Sequence, residues 1–398
     1  MKKIFILSLM GFAGLMLHAQ NKKTILRFPE VNGYQILKAD FHQHTVFSDG
    51  SVWPTYRVEE AYVEDLDVIA ISDHIEYIPN KADIPNMSFS RSYEIAKPLA
   101  DRYGIILIPS VEITRKMPPG HFNAIGVKDA NAFEQFVNKE VRSDSTGLTA
   151  ALEEAHRQGA FVFWNHPYYQ TPENKPTWFP IHEELKNKKL IQGVEVANGR
   201  YDKEVFQWAL DYEWTVFSNT DIHGTIAPRS AVDKAKTSLT LVLAKDRTEE
   251  SVMDALRNRR TVALFQNALY GRKEHVEAIV AHSINAKMIT LNGNYLLEVE
   301  NLYHFPYEIE ILGISEGYKI RNRTFTLNGS EAIGTTVTRE SLKVDETPQV
   351  IIKSADKKST KPKLNTEIPS EPTITLRLKI KNVYITPEQN LEIEVPVR

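Results

Sequence analysis

From Gln35 to about Phe265, short continuous apolar runs alternate with segments of helical periodicity. The runs at 36–41, 68–71, 105–108, 122–127, 160–164, 193–196, 214–218, 238–243 and 262–265 are strand-length and mostly uninterrupted. Helical patterning fills 54–65, 90–103, 148–158, 202–213 and 248–259. Pro54 stands at a helix start, where its missing N–H costs least, and Gly104 and Gly159 follow helix ends. Uninterrupted apolar strands separated by helices predict a parallel sheet covered on both faces. Seven or eight such units suggest a closed or distorted β/α barrel.

After about residue 280 the period changes to two. Segments 295–300, 307–311, 318–327, 349–352, 373–380 and 391–395 alternate apolar and polar positions with little helical signal. This predicts an antiparallel β-sandwich. The Lys-, Ser-, Thr- and Pro-rich stretch 355–372 reads as a long hairpin loop. The expected fold class is therefore α/β, a distorted (β/α)7 barrel followed by a C-terminal antiparallel β-sandwich. The expected units are 20–280 for the barrel and 281–398 for the sandwich.

The first nineteen residues belong to neither. Lys2 and Lys3 precede an apolar stretch over 4–17, then His18-Ala19 leads into polar residues. That run is short for a membrane span and has the layout of a secretory signal. Cleavage is expected after Ala19, although Leu17 is larger than the usual residue three before a cut. The expectation is an exported protein, periplasmic or secreted, with no integral membrane segment once the signal is removed. The chain has no cysteine, which excludes disulfides and thiolate metal ligands. Its 48 basic and 51 acidic residues leave a net charge of −3, and no nucleic-acid surface is evident.

Against this background one set of side chains stands out. His42, His44, Asp49, His74, Glu112, His121, His166, Asp221 and His223 all lie at or just after strand ends, and the intervening helices carry none of them. Barrel enzymes build their sites from strand C-termini and the loops beyond, so residues far apart in sequence can converge there. Imidazole and carboxylate ligands suit Zn, Mn, Fe or Mg. Strand spacing i, i+2 puts His42 and His44 on one side to grip one ion. Asp221 and His223 share that spacing but, past a strand end, can serve different ions. Two or three ions would activate a bridging hydroxide and neutralise charge on a phosphoryl oxygen. Glu112, Asp221 and His223 are the expected catalytic residues.

The ordered set His42-Gln43-His44, Ser48-Asp49-Gly50, Ser72-Asp73-His74, Glu112, His121, Asn165-His166-Pro167 and Asp221-Ile222-His223 resembles the polymerase and histidinol phosphatase (PHP) family over roughly 35–270. The resemblance implies a distorted seven-stranded barrel with a trinuclear metal site. It implies that His42, His44, Glu112 and Asp221 bind the first ion, that Glu112, His121 and His166 bind the second, and that Asp49, His74 and His223 bind the third. Some relatives carry histidine at the position of Asp49. The leader and the β-unit resemble those of exported PHP phosphodiesterases.

The expected activity is hydrolysis of a small-molecule phosphate ester, a diester by preference, because a monoester dianion calls for several cationic clamps. Arg115 and Arg229, on ligand-bearing loops, are the favoured substrate-binding cations, with Lys116 and Arg200 behind them. Tyr168 and Tyr169, just past His166-Pro167, could line a pocket for an apolar or aromatic leaving group, with packing the favoured role. The alternatives are a phosphomonoesterase on the same site, amide or lactone hydrolysis, and a non-catalytic metal-containing binding module. His156, His182, His275, His282 and His304 fall outside the pattern and are read as structural or surface residues.

Overall fold

The computed structural model describes residues 26–137, 145–226, 238–291, 294–315, 317–339 and 374–398. The expected leader and the hairpin loop over 355–372 lie outside these residues. Three strands begin the sheet side by side and parallel: β1 (Gln35–Gln43), β2 (Val68–Ile71) and β3 (Ile106–Thr114). Helices α1 (Pro54–Val63) and α2 (Arg91–Tyr103) form the crossovers. Pro54 opens α1, and Gly104 closes α2 in the left-handed conformation at φ 68°.

The sheet then departs from the uniform parallel order read from the sequence. β4 (His121–Ile125) runs antiparallel to both β3 and β5 (Phe161–Trp164). The link over 115–120 is too short for a crossover helix, so β3 and β4 can pair only as a hairpin. Parallel order resumes through β6 (Gly193–Asn198), a two-residue β7 (Arg200–Tyr201) folded back on it, and β8 (Thr215–Asn219). Helices α3 (Ser145–Arg157), α4 (Pro180–Asn187) and α5 (Lys203–Asp211) lie between these strands. β9 (Ser238–Ala244) is antiparallel to β1 and to β10 (Thr261–Phe265), with α6 (Glu249–Arg257) between them, and β10 turns directly into β11 (Ala268–Gly271).

The sheet curls until the chain leaving β8 meets the end of β1. Asp221 N donates to His42 O at 2.9 Å and His44 N donates to Ile222 O at 3.1 Å. These two bonds join the first and last ligand-bearing segments at one mouth, although nearly half the chain separates them.

Helix α7 (Lys273–Ser283) runs through the expected division at 280 and leads into the C-terminal strands. These are β12 (Ile284–Leu291), β13 (Asn294–Asn301), β14 (Tyr307–Ile314), β15 (Tyr318–Ile320), β16 (Thr324–Leu327), β17 (Ala332–Arg339), β18 (Thr375–Thr386) and β19 (Gln389–Pro396). One antiparallel sheet has the order β12-β13-β17-β15. The other, β16-β14-β18-β19, is antiparallel within itself, but β18 also pairs parallel with β11 at Leu269↔Val383 and Tyr270↔Tyr384. The barrel sheet thus continues into the C-terminal unit. The apolar core continues too: one buried cluster runs from Val58 and Ile69 through Val276 to Leu297, Ile309 and Leu378. No helix of the described residues is long and apolar enough to cross a membrane.

Candidate metal centre

The nine side chains singled out in the sequence all lie at the mouth. Their ligand atoms form four overlapping groups, each within 4.8 Å: His44/Asp49/His74/His223, His42/His166/Asp221, His42/His44/Glu112 and His74/Glu112/His121. Each is delivered by a strand end. β1 carries His42 and leads into His44, β2 leads into His74, β3 holds Glu112 and β4 opens at His121. The chain after β5 supplies His166, and the chain after β8 supplies Asp221 and His223. Gly50 lets the Asp49 loop fold tightly back on the strand end, since a Cβ there would lie 2.6 Å from the His44 carbonyl carbon.

Glu112 is at the centre and fully buried. Its Oε1 lies 3.0 Å from His121 Nδ1 and accepts from Asn165 Nδ2 at 2.9 Å. Its Oε2 lies 2.9 Å from His74 Nδ1, 3.3 Å from His44 Nε2 and 3.4 Å from His42 Nε2. Asp221 Oδ1 lies 3.0 Å from His44 Nε2 and 3.2 Å from His42 Nε2. Asp49 Oδ1 faces His223 Nε2 at 3.1 Å and His74 Nε2 at 3.5 Å. His166 sits with His42 and Asp221, its Nε2 at 3.7 Å from Asp221 Oδ2 and 3.9 Å from Glu112 Oε1. Asp221 and His223 fall in different groups, although His223 Nδ1 lies 3.6 Å from Asp221 Oδ1.

The electrostatics follow from burial and crowding. Burial disfavours charge on His42, yet Asp221, Glu195 and Glu112 outweigh it and hold the imidazole well above its ordinary pKa. The same competition carries His74 to about 9, chiefly through Glu112. Burial and then neighbouring His121 push His166 down to about 4. Burial opposes ionisation of Glu112, but the surrounding imidazoles, His74 first, hold it well below the usual carboxylate range.

The donor set fits divalent cations. His42 Nε2, His44 Nε2, Asp49 Oδ1, Glu112 Oε2 and His166 Nδ1 are buried and make no hydrogen bond among the described residues. Buried polar atoms are normally satisfied, because desolvating one without a partner costs about 1–3 kcal/mol. Four of these five atoms, those of His42, His44, Asp49 and Glu112, are among those whose short approaches to other candidate ligand atoms are given above. Clustered imidazole nitrogens and carboxylate oxygens with unused lone pairs are what a Zn, Mn, Fe or Mg site presents.

A second layer of polar residues orients the ligands, and the sequence reading assigned it no role. Glu195 in β6 is fully buried; its Oε1 bonds His42 Nδ1 at 2.9 Å and its Oε2 accepts from His166 N at 2.9 Å. Asp40 accepts from Gln43 Nε2 and Thr220 Oγ1, bracing the β1 end against the Asp221 loop. Asp73 accepts from Thr45 N, Thr45 Oγ1 and Ser48 Oγ, fixing the loop between His44 and Asp49. Thr114 Oγ1 lies 2.6 Å from His74 Nδ1. The available signal was a carboxylate inside an apolar strand run, as in Val194-Glu195-Val196 and Ala39-Asp40-Phe41.

The expected substrate-binding residues are placed differently. Arg115 is 1% exposed, and its guanidinium pairs with Glu76 and donates to Thr114 O and Phe136 O. It therefore binds protein, not incoming substrate. The correction has a physical cause: a buried guanidinium needs a carboxylate partner, and Glu76, pushed up to about 7 chiefly by burial, is that partner. Arg229 lies outside the described residues. Lys116 is exposed. The Tyr168 hydroxyl donates to Asn198 O at 2.6 Å, and Arg200 stacks on its ring with Cζ 3.9 Å from the centroid. Tyr169, 45% exposed, stands closer to the ligands, 5.2 Å from the His166 ring and 5.6 Å from the His121 ring. Outside the set, His182 packs 4.0 Å from Trp164 and bonds Pro119 O at 2.8 Å, a core role.

No protein-family model matches the chain. Over 83 residues it is 39% identical to an uncharacterized protein of Methanocaldococcus jannaschii, a match covering 21% of this chain and 36% of the length of that curated relative. An amidohydrolase from Chromobacterium violaceum overlaps 47% of this chain and 88% of its own length at 17% identity and a TM-score of 0.34, too loosely to bear on chemistry. A Bacteroides vulgatus structure, described as a two-domain protein containing a predicted PHP-like metal-dependent phosphoesterase, is 31% identical and superposes with a TM-score of 0.77. That match covers 93% of this chain and 98% of the other, both units included. With this relative spanned almost end to end and the expected ligands gathered at one mouth, the chain belongs to the PHP-like metal-dependent phosphoesterases.

Proposed function

We propose that this protein hydrolyses phosphate esters with two or three divalent ions, and that diesters are its preferred substrates. The observation that carries the reading is the convergence of nine ligand side chains from seven separate strand ends and loops, with buried lone pairs left unused. His42, His44, Glu112 and Asp221 would hold one ion, Asp49, His74 and His223 another, and Glu112, His121 and His166 a third. Bound there, the ions would polarise phosphoryl oxygens and acidify water. Glu112 and Asp221 would supply the anionic oxygens of the set, and Glu195 holds the His42 ring so that Nε2 faces inward. His223, with 38% of its side chain exposed against 24% or less for Asp49, Asp221 and the others, meets substrate first.

The diester preference rests on what surrounds the ligands. Arg115 is committed to Glu76. Exposed Tyr77 lies 6.5 Å from the His74 ring, and exposed Tyr169 faces His121 and His166. Aromatic walls suit an ester of lower charge better than a monoester dianion, which favours several cationic partners. Elemental analysis of the purified protein with parallel assays on bis(p-nitrophenyl) phosphate and p-nitrophenyl phosphate tests both statements. Bound Zn, Mn, Fe or Mg with faster diester turnover is expected. Faster monoester turnover would overturn the preference, and no turnover by metal-loaded protein would overturn the hydrolase reading.

A further inference from the structure

The C-terminal unit reaches the metal centre through a continuous line of contacts. It begins at Tyr384 on β18, which stacks on Tyr270 of β11 at 5.0 Å between ring centroids and an interplanar angle of 13°. Tyr270 in turn stacks on Tyr201 of β7 at 4.0 Å and 16°. Tyr201 is adjacent to Arg200, and both are held in the β6–β7 hairpin by Asn198↔Arg200 and Ala197↔Tyr201 pairing, with Gly199 at φ 63° in the turn. Arg200 is anchored to Asp202 at 2.9 Å and lies over the Tyr168 ring. Tyr168 follows His166 by two residues, and its hydroxyl is tied to Asn198 O. Asn198 Nδ2 donates to Glu195 Oε2 at 2.8 Å, the same oxygen that accepts from His166 N.

This line ends at a backbone that needs holding. His166 has φ 26°, a conformation uncommon for a residue with a side chain. Such a conformation persists only where the surroundings over-determine it. The turn after it closes on itself through Tyr169 N to His166 O at 2.9 Å, and the Tyr168 clamp fixes that turn against β6 and β7. The exposed Lys203–Glu388 pair at 3.1 Å adds a second, weak link between α5 and the β18–β19 turn.

We infer that the C-terminal unit sets the affinity of the metal centre, with Tyr384 and Arg200 as positioning residues that hold His166 in place through the clamp on Tyr168. The inference rests on the metal-centre reading above. Residues that orient ligands from behind commonly change metal affinity about 10–100-fold when removed. The test uses the full chain, stripped by chelator and titrated calorimetrically with Zn2+ alone, with thermal midpoints of the metal-free proteins measured alongside. Arg200→Ala is expected to weaken the most sensitive Zn2+ step about 10-fold. Tyr384→Ala, acting one stack further out, should weaken the same step about threefold, and Tyr384→Phe, which keeps the ring, should bind like wild type. The double variant Arg200→Ala/Tyr384→Ala should bind no more weakly than Arg200→Ala, because both act through one clamp. If Tyr384→Ala lowers the thermal midpoint but leaves Zn2+ affinity at the wild-type value, the stack is packing alone and the inference is wrong. Independent, multiplying effects of the two substitutions would also overturn it. Failure of the wild type to bind Zn2+, and equally Mn2+, Fe2+ and Mg2+ in parallel titrations, would instead overturn the metal-centre reading on which it rests.

Discussion

In β18 burial alternates: Leu376, Leu378 and Ile380 face inward while Arg377 and Lys381 face solvent. In β1 every residue from Leu37 to Gln43 is buried, Asp40 and His42 among them. The two strands belong to one extended sheet, yet they solve burial in opposite ways. The C-terminal strand puts apolar surface inside and charge outside, which stabilises at about 25 cal/mol per Å2 of apolar area. The barrel strand takes charge inside, where each carboxylate and imidazole costs free energy unless something offsets it. Asp40 is offset by a hydrogen bond from Gln43 on its own strand, and Asp73 by one from Thr45 in the segment after β1. Glu112 Oε2 and His44 Nε2 are not. Polar burial left incomplete at a mouth marks the part of a sheet arranged for a ligand, and clean alternation marks the part arranged for stability.

The sharpest break of this contrast is Glu112→Gln. It removes the charge at the point shared by two ligand groups and should lower kcat/KM for the best phosphate ester by about 10^3-fold or more, with bound metal falling in parallel. Steady-state assays with elemental analysis check it; a variant that keeps full metal content and full rate would show that Glu112 is not a ligand. On the other side, Leu297→Ala in β13 empties a fully buried apolar site. It should cost about 2–5 kcal/mol in denaturant unfolding while the folded protein keeps its metal stoichiometry. Metal loss at equal folded fraction would blur the division between the two regions.

A third effect separates structural from ligand histidines by pH. Burial holds His182 down at about 4, below its ordinary 6.5. The unfolded chain therefore binds this proton more readily than the folded one. Stability from His182 is complete above pH 6.5 and is lost as pH falls toward 4, by up to about 3 kcal/mol. Unfolding curves of wild type and His182→Gln across that window should show a shallower pH slope for the variant; parallel slopes would remove His182 from the account. The smallest effect concerns orientation. Glu195→Gln keeps the shape behind His42 but weakens a charge-assisted bond, and metal affinity by titration should fall about 10-fold. An unchanged affinity would make Glu195 a structural residue of β6.

Much of this arrangement is legible in the amino-acid sequence. The strands that carry ligands were visible as apolar runs, and the ligands themselves as imidazoles and carboxylates following those runs. Glu195, Asp40 and Asp73 were equally present in the sequence, but nothing local tells a ligand from the residue that orients it. Arg115 shows the converse failure. Its position near Glu112 suggested a substrate cation, whereas Glu76, 39 residues away, takes its charge. The hairpin of β3 and β4 was hidden by apolar runs that look alike in parallel and antiparallel sheets, and only the shortness of the 115–120 link spoke against a crossover.

The sequence by itself determined the period of each element, the change from α/β to all-β patterning near residue 280, and the chemistry available at every strand end. Those are local properties, set by side-chain identity and backbone repeat. The tertiary structure alone decided which lone pairs share a centre, which arginine is neutralised, and that β11 hands the barrel sheet on to β18. These depend on where a curled sheet closes, as when Asp221 N meets His42 O, and no window of neighbouring residues contains that information.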